Sequence, residues 1–190
     1  MTSNNKTKLM ILTALFTALT AVGAFIKIPL PPIPVTMQMF FIVMAGLLLG
    51  PKWGTLSQLI YLAIGLMGVP IFTAGGGPGY VFYPTFGYLV TFPLIPLIIG
   101  LLLKGRRPLR FLPCFAASFV AMVTNLLLGT IYMYGIYHIY LGQPQTIQWA
   151  LAAGFFPFLI GDTILVAVVV LLSLRILKIL EKSGLYVQEF

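Results

Sequence analysis

Apolar residues fall into long blocks divided by short polar or Gly/Pro-rich breaks, and these blocks define the elements. Residues 9–26 form a run of 18 without a charge. That exceeds the roughly 7–15 residues of a signal-peptide core and predicts a retained first membrane helix. Residues 27–36, KIPLPPIPVT, carry four prolines, which forbid helix and favour an extended loop. Residues 37–50 then give only about 21 Å of helix at 1.5 Å per residue, so this second block spans only if the loop before it dips into the membrane. Gly50-Pro51-Lys52 reads as a tight turn, and residues 53–68 return with Gln58 and Tyr61 as polar interruptions.

Between Lys52 and Lys104 there is no charge over 51 residues. This stretch accommodates two spans, 53–68 and 85–103, with a surplus between them. Blocks at 111–134, with Thr124 and Asn125 inside it, and 150–177 complete the set. The tail 178–190 reads as a helix end that frays, with Gly184 as a stop signal. The pattern predicts an all-α membrane protein, a bundle of six transmembrane helices forming a single domain over 1–190, with ordered outer loops lining a ligand site.

Composition agrees: 60% of residues are hydrophobic and 7% charged, with a mean hydropathy of +1.07. The net charge of +8 raises a nucleic-acid reading, which the placement of the cations disfavours. Ten of the 11 Lys and Arg fall at block ends that alternation puts on one side, including the cluster Lys104, Arg106, Arg107 and Arg110; Lys27 alone falls on the other. That asymmetry predicts both termini in the cytoplasm and a basic loop that orients the chain and meets anionic lipid. Tyr132, Tyr134, Tyr137 and Tyr140 suit the outer headgroup interface, with His138 among them as an interfacial polar residue or a ligand. The lone Cys114 reads as a small core residue.

Candidate chemistry gathers at two places. The charge-free stretch 69–88, VPIFTAGGGPGYVFYPTFGY, must be irregular backbone near the lipid boundary. Such backbone survives there when buried in protein or lining a cavity. Gly75, Gly76 and Gly77, bracketed by Thr73 and Pro78, form either a nest of N–H groups aimed at one point or a tight turn. Phe72, Tyr80, Phe82, Tyr83, Phe86 and Tyr88 supply cavity walls or belt residues. The second place is Asp162, the one intramembrane acid. A central Asp costs about 2.5–3.5 kcal/mol to insert, so it needs a partner, a wet cavity or a proton. Pro157 and Gly161 loosen the helix before it, and Asn125 either faces Asp162 or bonds between helices. No P-loop is present, and one His, one Cys and one buried acid make no catalytic or metal set. The chain reads as a binder that depends on an energy source elsewhere.

The segments PLPPIPVTMQ at 29–38, AGLLLGPKWGTLSQLIYLAIGLMGVPIF at 45–72, AGGGPGYVFYPTFGYL at 74–89 and PFLIGD at 157–162 closely resemble the BioY family. Its members are the biotin-specific substrate-binding (S) components of energy-coupling factor transporters. The resemblance implies capture of biotin from the outer side of a bacterial plasma membrane, with no catalysis and no cofactor. It also implies partners: a transmembrane coupling subunit and cytoplasmic ATPases. Ala14 and Ala18, small residues four apart, match the family's docking motif for the coupling subunit. Asp162 matches the acid that holds the ureido ring, and Gln38, Thr73, Tyr80, Tyr88 and Asn125 are taken with it as substrate-side residues. The sequence departs from the family where a lysine usually follows the acid by three residues; here stands Leu165. Gly77 and Leu89 likewise stand near positions that are polar in some relatives. Either Lys27 supplies the missing charge or it snorkels at the interface. The departure keeps a second reading open, an S component for another small solute. An intramembrane enzyme and a structural packing subunit are weaker alternatives.

Overall fold

The computed structural model describes residues 3–30, 32–106 and 108–183. Pro31, Arg107 and the tail with Gly184 and Glu189 lie outside them. Nearly everything described is helix, and five helices are long and apolar enough to cross a membrane.

Helix α1, Ser3–Phe25, begins before the apolar run because its polar first residues extend it beyond the block. Its buried face is Leu9, Thr13, Phe16, Thr17, Thr20 and Ala24, while Met10, Ile11, Leu15 and Val22 are exposed. Large apolar residues dominate the outward face, as lipid requires, whereas the three threonines face the protein together with Leu9, Phe16 and Ala24. Thr13, Thr17 and Thr20 each donate to the carbonyl four residues back, at 2.8, 3.0 and 2.8 Å, so their hydroxyls are buried at little cost. The single Thr17 hydroxyl proton is shared with the carbonyl of Ser57, 2.9 Å from Oγ1, which ties α1 to the next helix.

After α1 the chain turns into a short antiparallel ribbon, β1 (Lys27–Ile28) against β2 (Val35–Thr36), with Lys27 opposite Thr36. Helix α2, Gln38–Leu66, follows. It is continuous only in name. Gly50 has φ 75° and ψ −175°, a left-handed position that suits glycine, and Pro51 starts a new helix. The chain folds back there: Gln38 Nε2 donates to Tyr61 Oη at 2.8 Å, although 23 residues of straight helix would separate them by about 35 Å. The turn read from Gly50-Pro51-Lys52 is thus a hairpin between two short rods. Gly100 of the fourth helix packs on it; a Cβ at Gly100 would lie 2.4 Å from the Pro51 ring.

The expected span 85–103 is split into α3 (Phe86–Val90) and α4 (Leu94–Leu103). Pro93, which cannot donate a backbone hydrogen bond, lies at the break. Helix α5, Phe111–Gly135, runs on through a π turn, Ile136–Tyr140, past the expected end at 134. The last block is also broken, into α6 (Ile147–Gly154) and α7 (Phe156–Lys182). The discontinuity falls at Phe155, so Pro157 occupies the first turn of α7, where its missing N–H costs nothing, and does not loosen a helix interior. Cys114 is buried, as expected of a core residue.

Between α2 and α3 the Gly/Pro-rich stretch folds back on α2. The Phe72 ring covers Gly65, Gly77 N–H donates to the Gly65 carbonyl at 2.7 Å, and Pro78–Phe82 form one 3₁₀ turn. Phe72 rests between Tyr61 and Tyr80, at ring separations of 5.4 and 4.7 Å. Within this charge-free irregular stretch Phe72, Gly77, Tyr80 and Thr85 are buried, while Val69, Pro70, Phe82 and Tyr83 are exposed.

Candidate functional site

Ribbon, loop and helix ends enclose one cavity. Ile33, Pro34 and Thr36 come from the ribbon, Gln38 and Met39 from the start of α2, and Thr73 and Thr85 from the loop. Tyr88 and Leu89 of α3, Phe92 just beyond it, Asn125 and Leu126 of α5, and Phe158 and Asp162 of α7 complete the wall. Its empty space, counted together with the part open to solvent, is about 530 Å³.

Almost every polar group in this wall is already used. Gln38 donates to Tyr61 and accepts from Thr36 Oγ1 at 3.2 Å. Asn125 Nδ2 donates to the Tyr88 carbonyl at 2.8 Å and to Thr91 Oγ1 at 2.7 Å. Tyr88 Oη donates to the Gly154 carbonyl at 2.9 Å and lies 3.1 Å from Thr130 Oγ1. Thr73 and Thr85 share the Tyr80 hydroxyl, at 3.0 and 3.2 Å. Two acceptors are exceptions among the described residues: the Asn125 side-chain oxygen, whose amide donates but receives no donor, and the Asp162 carboxylate. Asp162 is 7% exposed and faces the cavity, and among the described residues nothing donates to its carboxylate. A buried acceptor without a donor is costly, so this carboxylate is an open valence of the cavity.

The sequence-derived candidates divide into three groups. Asp162, Thr73, Tyr88, Asn125 and Gln38 line the cavity. Asn125 shares it with Asp162, but its amide N–H groups bond between helices. Tyr80 stands one layer back, 2% exposed, and positions the two threonines. Gly75, Gly76 and Gly77 are not in the wall, and the nest is not formed. Gly75 N–H donates to Phe72 O at 3.2 Å and Gly77 N–H to Gly65 O, so these glycines build a tight turn. Of the aromatic residues expected around the site only Tyr88 lines it; Phe72 and Phe86 are buried and Phe82 and Tyr83 half exposed.

Lys27 lies outside the cavity wall. Its Nζ donates to the Thr73 carbonyl at 2.6 Å, beside a second depression at the cavity's edge. Leu165 packs against the apolar core and brings no charge near Asp162. Ala14 and Ala18 are exposed in an apolar groove between α1 and the second rod of α2; packing within the chain does not consume them.

Lining residues not singled out as candidates are Ile33, Pro34, Thr36, Met39, Thr85, Phe92, Leu126 and Phe158. Phe158 was within reach, because it stands four residues before Asp162 on the same helical face.

The family model for BioY matches residues 1–182. The chain belongs to the BioY family. A probable biotin transporter BioY of Lysinibacillus sphaericus is 37% identical over 183 residues, covering 96% of this chain and 93% of that protein. The biotin transporter BioY of Thermotoga maritima is 39% identical over 166 residues, 87% of this chain and 93% of its own length. Among solved structures, the S component for biotin from an ECF-type ABC transporter superposes with a TM-score of 0.72 at 29% identity. That match covers 94% of this chain and 95% of the other. A BioY chain is a transporter component.

Proposed function

We propose that this BioY chain is a biotin-binding S component, a subunit that captures the vitamin and performs no chemistry on it. The observation that carries the reading is the unpartnered Asp162 carboxylate in a cavity whose polar hydrogens are nearly all spent within the protein. Biotin's ureido ring presents two N–H donors, and a carboxylate is an acceptor for both. The thioether ring and valeryl chain are apolar, as are Ile33, Leu89, Phe92 and Phe158 in the wall. The likeness to biotin transporters and to the solved S component for biotin supports the same ligand.

The reading includes a topology. The two rods of α2 count as separate crossings, which makes six in one domain. The cations at the hairpin end of the bundle put both termini in the cytoplasm of a multi-pass cell-membrane protein. The cavity, at the ribbon end, then opens outward. Uptake requires partners, a transmembrane coupling subunit and ATPases, and the exposed Ala14/Ala18 groove is where the former docks.

Leu165 favours one alternative, a neutral solute with a similar ring. Calorimetric titration of the purified protein with biotin, together with native mass spectrometry of what co-purifies, separates the two. Saturable biotin binding at one site per chain is expected. Co-purification of a different small molecule with no displacement by biotin would reject the assignment.

A further inference from the structure

Resting on the biotin reading, we propose that Lys27 is the residue that recognises the anionic end of the ligand. The ligand is gripped by Asp162 inside the cavity and by the Lys27 ammonium at its mouth. Three observations lead there. The cavity and the outer depression beside it are contiguous, sharing Pro34, Thr73 and Thr85. Asp162 lines the inner space and Lys27 the outer one. Among the described residues the remaining Lys and Arg belong to α1 before its apolar run, to the hairpin end or to the far part of α7. The imidazole of His138 packs on Tyr134 instead, with ring centres 5.1 Å apart.

The geometry holds Lys27 ready. Its backbone pairs with Thr36 in the ribbon, and the ribbon is fixed to α1 by Met37 N–H, which donates to Ile26 O at 3.0 Å. Its Nζ spends one donor on the Thr73 carbonyl. An ammonium has three, so two remain for a carboxylate. The Thr73 carbonyl also holds the charge over the edge shared by the two spaces. A ligand with ring N–H donors at one end and a carboxylate at the end of a flexible chain matches this polarity along its length.

The test compares biotin with biotin methyl ester, which keeps the ring and loses the anion. Both are titrated into purified wild type and into the Lys27→Ala, Lys27→Gln and Lys27→Arg variants. Gln keeps a donor for the Thr73 carbonyl without the charge, so it isolates recognition from loop support. The expected result is at least a tenfold loss of biotin affinity in the Ala and Gln variants, with the ester unaffected and Arg close to wild type. Biotin affinity of the wild type should also fall with added salt while that of the ester stays level. Equal weakening of both ligands, or no weakening of either, would overturn the role of Lys27 and leave the biotin reading standing. A wild type that binds neither ligand would overturn both.

Discussion

Asp162 concentrates the cost and the use of this cavity in two oxygen atoms. Replacing it by Asn leaves shape and volume nearly unchanged but exchanges an acceptor pair for one acceptor and one donor. Biotin affinity should fall by about 1.5–3 kcal/mol, the usual worth of a hydrogen bond to a charged group, which calorimetry reads as roughly tenfold to 150-fold. The empty Asp162→Asn protein should melt no lower than wild type, because an unpartnered buried charge stabilises nothing. Tyr88→Phe should act the other way. It strips the Gly154 carbonyl of its donor and should cost about 1–3 kcal/mol of stability, seen as a lower melting temperature in detergent. Asp162 was legible in the sequence because an intramembrane acid is expensive and therefore conspicuous. The spent amides of Gly75 and Gly77 were not, since their acceptors, Phe72 O and Gly65 O, are set by how the loop folds back and not by the glycines themselves.

At the scale of elements, α5 matches its hydrophobic block closely and α1 ends with its block, although it starts at Ser3 and not at Leu9, because uninterrupted apolar length fixes a membrane helix but not where its polar end begins. The breaks were harder to read. Pro93 and Phe155 end helices inside blocks that hydropathy reads as continuous. Gly50 was readable because glycine followed by proline leaves few conformations other than a turn. The loop over 67–85 depends on Gly65, where an added Cβ would fall 2.1 Å from the Phe72 ring. Gly65→Ala should therefore expel Phe72 from its seat between Tyr61 and Tyr80. Overpacking of this kind costs about 1–3 kcal/mol. Because Thr73 follows Phe72 directly, biotin binding should weaken together with thermal stability, whereas Asp162→Asn separates the two measurements.

For the whole molecule, the proposed orientation gives a labelling pattern. Cys114, the one cysteine of the chain, is buried, so single cysteines placed at Gly142 and Gly105 report without background. In intact cells an impermeant maleimide should label the first, and the second only after permeabilisation; the reverse pattern would invert the topology. The exposed alanines give a second test. Ala14→Leu with Ala18→Leu should abolish co-purification of the coupling subunit and leave biotin affinity of the isolated protein within twofold, because neither residue touches the cavity.

The hairpin of α2 bears on how such a small protein keeps a site ready in the absence of ligand. Its two rods are joined at one end by the Gly50–Pro51 turn and clasped at the other by the Gln38–Tyr61 hydrogen bond, so they form a closed frame. Gln38 is both clasp and cavity wall, which means the floor of the site is set by folding. The ordering cost of binding then falls on the few residues of the ribbon at the rim, and affinity should be tuned most readily there, by substitutions that stiffen or loosen residues 27–36.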